Sequence, residues 1–376
     1  MKNVLFALFL ALIATPGLMS QPTGPAGNSA SAPADSKVMD FEKYDPPSSL
    51  VVPEHKLTRS KYPFVDIHSH HFRGVDKAYL SKLNKEMDEM NMRIIVNLSG
   101  GTGDNLKKHV DSGKAWLPGR YVVFANINIR SIDEQDWAEN TVKALENDVK
   151  NGARGLKIYK SQGMDDKDKN GKRIAIDDPR IAPIWEACGR LGIPILIHSG
   201  DPAAFWQPAD ENNERWLELK TRGGRNRQNF EASWEQVMTE HFNIIRRHKN
   251  TTFISAHMGW YPNNLTKLGS LLDELPNMNV EIGAVIAELG RQPRAAKAFF
   301  TKYSDRILFG KDSYVVEEFP TYFRVLETAD EYFPYHKRYH AFWKMYGLEL
   351  PDDILKKVYY KNALRLLKMP MDGFPK

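Results

Sequence analysis

Short apolar runs rich in β-branched residues recur along the chain from residue 63 onward. They cover Phe64–Ile67, Arg93–Leu98, Tyr121–Ile129, Gly155–Tyr159, Pro194–Ile197, Thr252–Ser255, Asn279–Ile282 and Arg306–Phe309, eight in all. Between them lie longer segments with helical spacing, such as Trp137–Lys150 and Asp178–Leu191. The second of these starts at Asp-Pro and stops before Gly192, chemistry suited to a helix start and end. Continuous apolar runs predict strands buried on both faces, and strands alternating with helices predict a parallel sheet. Eight such units predict an α/β fold, a (β/α)8 TIM barrel over residues 63–370 as a single domain. An open doubly wound sheet is the competing arrangement, but the chain carries neither a G-x-G-x-x-G turn nor a P-loop to serve it.

The stretch before the barrel has a different pattern. Met1-Lys2-Asn3 is a short basic start, and Val4 to Ala14 is unbroken apolar sequence. Thr15-Pro16-Gly17 ends it and small residues follow, the three-part pattern of a secretory signal peptide over residues 1–20, with cleavage near Ser20. The run is too short to span a bilayer, so no transmembrane span is predicted. The expected location is therefore secreted or periplasmic. Residues 21–62 read as a flexible tether, rich in Pro, Gly, Ala and Ser to about residue 36, followed by an extended arm laid over the barrel.

Composition changes the picture at two points. The 376 residues hold one cysteine, Cys188, which excludes a disulfide scaffold and a thiolate metal site. Any bound metal must then use His and carboxylate. Lys+Arg exceed Asp+Glu by 52 to 47, a net charge of +5 spread along the chain. That gives no electrostatic reason to expect nucleic acid as a partner. A small-molecule substrate is expected, with a homodimer as the expected assembly.

The chemistry gathers at the C-terminal ends of the strands. The first run closes Asp66-Ile67-His68-Ser69-His70-His71, where residues two apart share a face, so His68 and His70 point together into the barrel mouth. The fifth closes on His198, the sixth on His257 and the eighth on Asp312. Barrel enzymes place catalytic groups at these positions. One such residue is unremarkable; four strand ends together form a constellation. Asp66 shares the face of His68 but sits a layer deeper, suited to core hydrogen bonds. His71 faces away, and His55, His109, His241, His248, His336 and His340 fall outside strand ends and read as surface or helix residues.

The ordered set Asp66-x-His68-x-His70, His198, His257 and Asp312 resembles the amidohydrolase superfamily. It is more similar to the amidohydrolase-2 branch, which includes aminocarboxymuconate-semialdehyde decarboxylase and related hydrolases. Gly152–Lys157, Ala256-His257-Met258-Gly259, Leu308-Phe309-Gly310-Lys311-Asp312-Ser313 and the closing Lys361–Leu366 each resemble that branch's signatures, across about residues 60–370. The resemblance implies one divalent metal, zinc by preference, held by His68, His70, His198 and Asp312. His257 would stand beside it as an acid/base or electrophilic group. Imidazoles and one carboxylate suit such an ion, which activates water for attack. Asp312 would also take the proton from that water.

Lys157 closes the fourth strand, where some superfamily members carry a carboxylated lysine bridging two metals. Its other reading is a lysine reaching substrate or a nearby carboxylate, which the branch's usual single metal favours. Lys311, beside Asp312, reads as packing or a surface charge. The long connection from Ser199 to about Phe230 reads as a lid or binding wall. In it Trp206 offers a stacking face, and Arg222 and Arg225 offer bidentate contacts to an anion. The function expected is metal-dependent hydrolysis of a lactone, ester or amide in a small ring-containing or anionic compound. Non-oxidative decarboxylation is the alternative.

Overall fold

The computed structural model describes residues 39–72 and 75–375. The segment read as a signal peptide lies outside the described residues. The chain divides into two compact units, Met1–Pro46 and Pro47–Lys376. In the first, the described part holds a single short 3₁₀ turn, Phe41–Lys43, capped by the Asp40 carboxylate on the Glu42 amide.

The second unit is a TIM-barrel-like α/β fold. Its strands are β1 (Phe64–Ser69), β2 (Met92–Asn97), β3 (Tyr121–Val123 and Ala125–Asn126), β4 (Leu156–Ile158), β5 (Ile195–Ile197), β6 (Phe253–Ser255), β7 (Met278–Glu281) and β8 (Ile307–Leu308). Each pairs in parallel with the next. The circle closes where the Ile67 amide donates to the Phe309 carbonyl (3.1 Å), the Asp312 amide to the His68 carbonyl (2.6 Å), and Ser69 bridges Asp312 in parallel. All eight predicted runs thus carry a strand.

β3 is broken at Phe124, whose ring turns across Gly155. A Cβ at Gly155 would lie 2.4 Å from that ring, so only glycine admits it. The strands are buried along nearly their whole length, as a sheet covered on both faces requires. Phe64, Phe309, Phe319, Phe323 and Tyr359 pack ring on ring where β1, β8 and the closing helices meet.

Helices start and stop where their caps predict. Trp137–Asn151 ends at Gly152, whose φ of 117° is a left-handed conformation glycine adopts freely. Trp234–Arg247 starts at Ser233, whose hydroxyl accepts the Gln236 amide, a cap worth about 1 kcal/mol. The Asp178–Leu191 segment divides into a 3₁₀ turn, Pro179–Ile181, and a helix, Ala182–Leu191. Residues of the predicted arm pack on the barrel: the His55 amide and ring bond Asp330, and Lys61 pairs with Asp352. Among the described residues no helix is long and apolar enough to cross a membrane.

Candidate metal centre and substrate pocket

His68 leaves β1 fully buried, and its Nδ1 lies 3.0 Å from Glu281 Oε1 at the end of β7. The same carboxylate accepts the His257 amide (2.7 Å) through Oε1 and the Gly283 amide (2.6 Å) through Oε2. His257 Nδ1 lies 2.7 Å from the Gly283 carbonyl. A carbonyl and a carboxylate that only accept place the proton on Nδ1 of both rings. The Nε2 lone pairs of His68 and His257 therefore remain for the site. His68 Nε2 faces Asp312 Oδ1 at 3.4 Å, two acceptors turned toward one another.

His68, His257 and Asp312 each place one donor atom within 4.8 Å of the others'. His70 Nε2 is 3.7 Å from the same Asp312 oxygen, while its Nδ1 meets Ser99 Oγ at 2.8 Å. His198 Nδ1 lies 3.3 Å from His257 Nε2, and its buried Nε2 has no hydrogen-bond partner. All five predicted residues thus converge. The tightest trio takes His257 with His68 and Asp312, and His70 and His198 flank it.

Electrostatics suit a cation here. Burial pushes His68 and His198 well below the usual imidazole range and His70 down to about 3, so these rings are neutral. Burial pushes Asp312 up, but the neighbouring His68, His257 and His70 rings and the Lys157 ammonium outweigh it and lower the carboxyl to about 2. An ionised carboxylate among neutral imidazole lone pairs, with one buried nitrogen unpaired, is a donor set that a divalent ion satisfies. The cation already present is Lys157, fully buried at the end of β4, whose ammonium donates to His68 Nε2 at 3.2 Å. Burial lowers it to about 8, against the pull of Asp312 and Glu281.

The chain after β6 is bent hard to aim these groups. His257, Met258, Gly259 and Trp260 all have φ between 54° and 58°. For the three residues with side chains that conformation costs roughly 1–2 kcal/mol each. Asp312 also sits at a positive φ, 77°. Such strain concentrates at functional sites because the surrounding structure must hold it in place. Asp66 takes the deeper role expected of it: Oδ1 accepts the His68 and Lys311 amides at 3.1 Å each. Burial pushes its carboxyl up to about 8, and Oδ2 has no partner.

Above the centre lies a cavity of about 130 Å³, lined by His198, His257, Trp260 and Asp312 and by residues of the long connection and later loops. Of the predicted substrate contacts, Arg225 lines it and pairs with Glu218. Arg222 lies over the Tyr339 ring and does not line it. Trp206 is turned away: its Nε1 donates to the Ala232 carbonyl (2.9 Å) and its ring packs against Phe230 in a small separate cluster. Its indole is satisfied by its own loop, so it offers the cavity no stacking face.

Burial decides two readings from sequence and corrects a third. Of the two readings of Lys311, packing holds and surface charge does not: it is 1% exposed and paired with Glu318. His241 is on a helix as expected, yet buried, between Ser199 Oγ (3.1 Å) and Ser255 Oγ (2.8 Å). His340 is neither surface nor helical; it is buried and lines the cavity beside Arg225 and Lys337. The residue sequence reasoning missed is Glu281. Its one signal was a lone carboxylate inside the seventh apolar run, one residue before its end.

A barrel that gathers imidazoles and one carboxylate at its strand ends defines a class, the TIM-barrel enzymes built around a metal-type centre. The amidohydrolase family model matches residues 128–369, and the chain belongs to the amidohydrolase superfamily, in its amidohydrolase-2 branch. Solved structures agree on the fold. A 2,6-dihydroxybenzoate decarboxylase complexed with 2,6-dihydroxybenzoate matches with a TM-score of 0.53 at 13% identity, covering 82% of this chain and 100% of that one. A dihydroxybenzoic acid decarboxylase from Polaromonas sp. JS666, with bound manganese and the inhibitor 2-nitroresorcinol, matches at 0.51 and 13%, covering 82% and 97%. An uncharacterized TIM-barrel protein from Bordetella bronchiseptica matches at 0.50 and 13%, covering 81% and 98%. No curated protein sequence matches the chain.

Proposed function

We propose that this chain is a metal-dependent hydrolase acting on a carbonyl group of a small, ring-containing or anionic compound such as a lactone, ester or amide. The observation that carries the proposal is the convergence of His68, His257 and Asp312, which place one ligand atom each within 4.8 Å of the others', with both ring tautomers set by Glu281 and Gly283. In this reading His68, His70, His198 and Asp312 hold one divalent ion, zinc by ligand chemistry. A bound ion of this kind supplies Lewis acidity and makes water acidic, toward a pKa of about 7.

The chain's own groups do the rest. Asp312, ionised and open to the cavity over 29% of its side chain, accepts the proton from the attacking water. His257, its Nδ1–H tied to Gly283, keeps Nε2 for proton exchange with the leaving group. Lys157 stays a lysine that donates toward the centre, and one ion per chain follows from that. Lys160, Arg225 and Lys337 line the cavity, paired with Asp201, Glu218 and Glu318, and an anionic substrate would share those cations. Secretion through residues 1–20 and assembly as a homodimer belong to the same proposal.

The basic side chains on that wall favour one second reading, decarboxylation, because a carboxylate is the group they would orient and the reaction would remove. Three of the matching structures, each at a TM-score above 0.5, are decarboxylases by name. Incubating the metal-loaded enzyme with a panel of lactones, amides and aromatic acids separates the two. Hydrolysis that falls roughly 10²–10⁴-fold in Asp312→Asn supports the proposal. Release of CO₂ from aromatic acids with no lactone or amide turnover overturns it in favour of the second reading.

A further inference from the structure

His70 differs from His68 and His257 in what sets its tautomer. Those two rings each meet, at Nδ1, an oxygen that only accepts. His70 Nδ1 meets the Ser99 hydroxyl at 2.8 Å, and a hydroxyl accepts or donates. If Ser99 donates, the single proton of this neutral ring sits on Nε2, and that nitrogen has no lone pair left for an ion. The nearest partner therefore leaves the His70 tautomer undecided.

The decision falls to the next residue along. Ser99 Oγ lies 2.9 Å from the Tyr159 hydroxyl, which lies 3.1 Å from the Leu98 carbonyl. His70 follows β1, Leu98 and Ser99 follow β2, and Tyr159 follows β4, so three strand ends meet in one short run of hydrogen bonds. The run fills in two ways. With the proton on Nδ1, the ring donates to Ser99, Ser99 to Tyr159, and Tyr159 to the Leu98 carbonyl, which makes three bonds. With the proton on Nε2, Tyr159 donates to Ser99 and Ser99 to Nδ1, which makes two, and the carbonyl loses its tyrosine donor. One further bond favours the first arrangement by roughly three- to tenfold. Asp312 Oδ1 pulls the other way, toward a proton on Nε2, but at 3.7 Å it is beyond hydrogen-bond range.

The geometry points to Tyr159 as a positioning residue that, through Ser99, keeps the His70 proton on Nδ1 and leaves the Nε2 lone pair to the metal site. Its ring adds to this, stacked on the His70 ring with centroids 5.7 Å apart and planes at 28°. The role rests on the proposed metal centre and names the group that readies its third imidazole. Glu281 and the Gly283 carbonyl fix the other two rings through a single contact each; His70 depends on a two-hydroxyl relay whose direction Tyr159 sets. Without the tyrosine hydroxyl, Ser99 has lost its acceptor and turns its proton to Nδ1, and the Asp312 charge then favours the proton on Nε2.

The test is the ring nitrogen NMR spectrum of histidine-labelled, chelator-stripped full-length protein at pH 7, with His70 assigned by its loss in His70→Gln and thermal unfolding as the folding control. Wild type is expected to hold His70 as Nδ1–H in at least about threefold excess. Tyr159→Phe keeps the stacked ring but lacks the hydroxyl, and that excess should vanish or reverse. Ser99→Ala should abolish it too, while Ser99→Thr, which keeps a hydroxyl, should restore it. Titrated with zinc by calorimetry, Tyr159→Phe should bind about 10–100-fold more weakly than wild type. Ser99→Ala, judged by the same two readouts, decides the matter if Tyr159→Phe fails to fold. A wild-type excess below threefold overturns the role, as does an excess that survives Tyr159→Phe or a shifted tautomer with unchanged zinc affinity. A tautomer that shifts in Tyr159→Phe while wild type binds no zinc would leave Tyr159 in control of the His70 proton and remove the metal centre instead.

Discussion

Glu281→Gln isolates the group on which the centre's geometry depends. The side chain keeps its size, but one acceptor oxygen becomes an NH₂ donor. Glu281 receives three N–H groups: His68 Nδ1 and the His257 amide on Oε1, and the Gly283 amide on Oε2. A glutamine can serve one side or the other. If its oxygen takes the Oε1 place, its NH₂ meets the Gly283 amide, donor against donor. Leaving one buried N–H unpaired costs about 1–3 kcal/mol, and the remaining bonds drop from charge-assisted to neutral strength, about 1 kcal/mol each. The amide cannot turn aside: a Cβ at Gly283 would lie 2.7 Å from Oε2 and one at Gly310 only 2.3 Å from it, so the carboxylate fills its cradle. The total is a loss of about 3–5 kcal/mol in unfolding free energy, read by urea denaturation at pH 7. Because Glu281 sets the His68 tautomer, affinity for a divalent ion should fall about 10–100-fold, read by chelator competition. Stability within about 0.5 kcal/mol of wild type, together with unchanged ion affinity, would refute the argument that this carboxylate orients both rings.

Further outcomes follow from the same geometry. Gly310→Ala puts a Cβ 2.3 Å from Glu281 Oε2 and 3.0 Å from His68 Cβ, so it should cost about 1–3 kcal/mol, while Gly224→Ala, with nothing within 4 Å, should be near neutral; paired thermal melts check both. Burial holds the His241 ring at about 3, below the ordinary 6.5, so the unfolded chain binds the extra proton between those values. Its contribution is present above pH 6.5 and lost as pH falls toward 3. His241→Gln should therefore flatten that acid slope, and an unchanged pH–stability profile from pH 7 to 4 would contradict it.

The strand ends at the site were legible because four of the eight apolar runs are followed closely by a His or Asp, and a barrel turns all such ends to one face. Glu281 was not, because a single carboxylate inside an apolar run assigns no role; its partner His68 lies 213 positions away, joined only when β1, β7 and β8 close the circle. His340 was passed over for a related reason. It comes from a segment whose strands, Phe333–Pro334 and Lys344–Met345, are two residues long and leave no periodic signal, yet that segment lines the cavity wall beside Arg225. The loop aromatics misled in the opposite direction. Trp206 has the composition of a stacking residue, but a nearby carbonyl, Ala232, takes its N–H, and the tryptophan with the open donor proved to be Trp260, three residues past a site histidine. The grouping within the cluster was also beyond sequence, since the left-handed turn at residues 257–260 is what sets His257 beside His68 and Asp312.

The central claim is that the Asp312 carboxylate and the surrounding imidazoles form a site for a single divalent ion. Titrating chelator-stripped protein with zinc by calorimetry, alongside elemental analysis of the reloaded chain, tests it most directly. The account predicts one equivalent per chain, abolished in Asp312→Ala with the fold retained. Two equivalents, with the second lost in Lys157→Met, would establish the binuclear centre with a carboxylated lysine instead; no stoichiometric binding, or binding indifferent to Asp312, would contradict the claim outright.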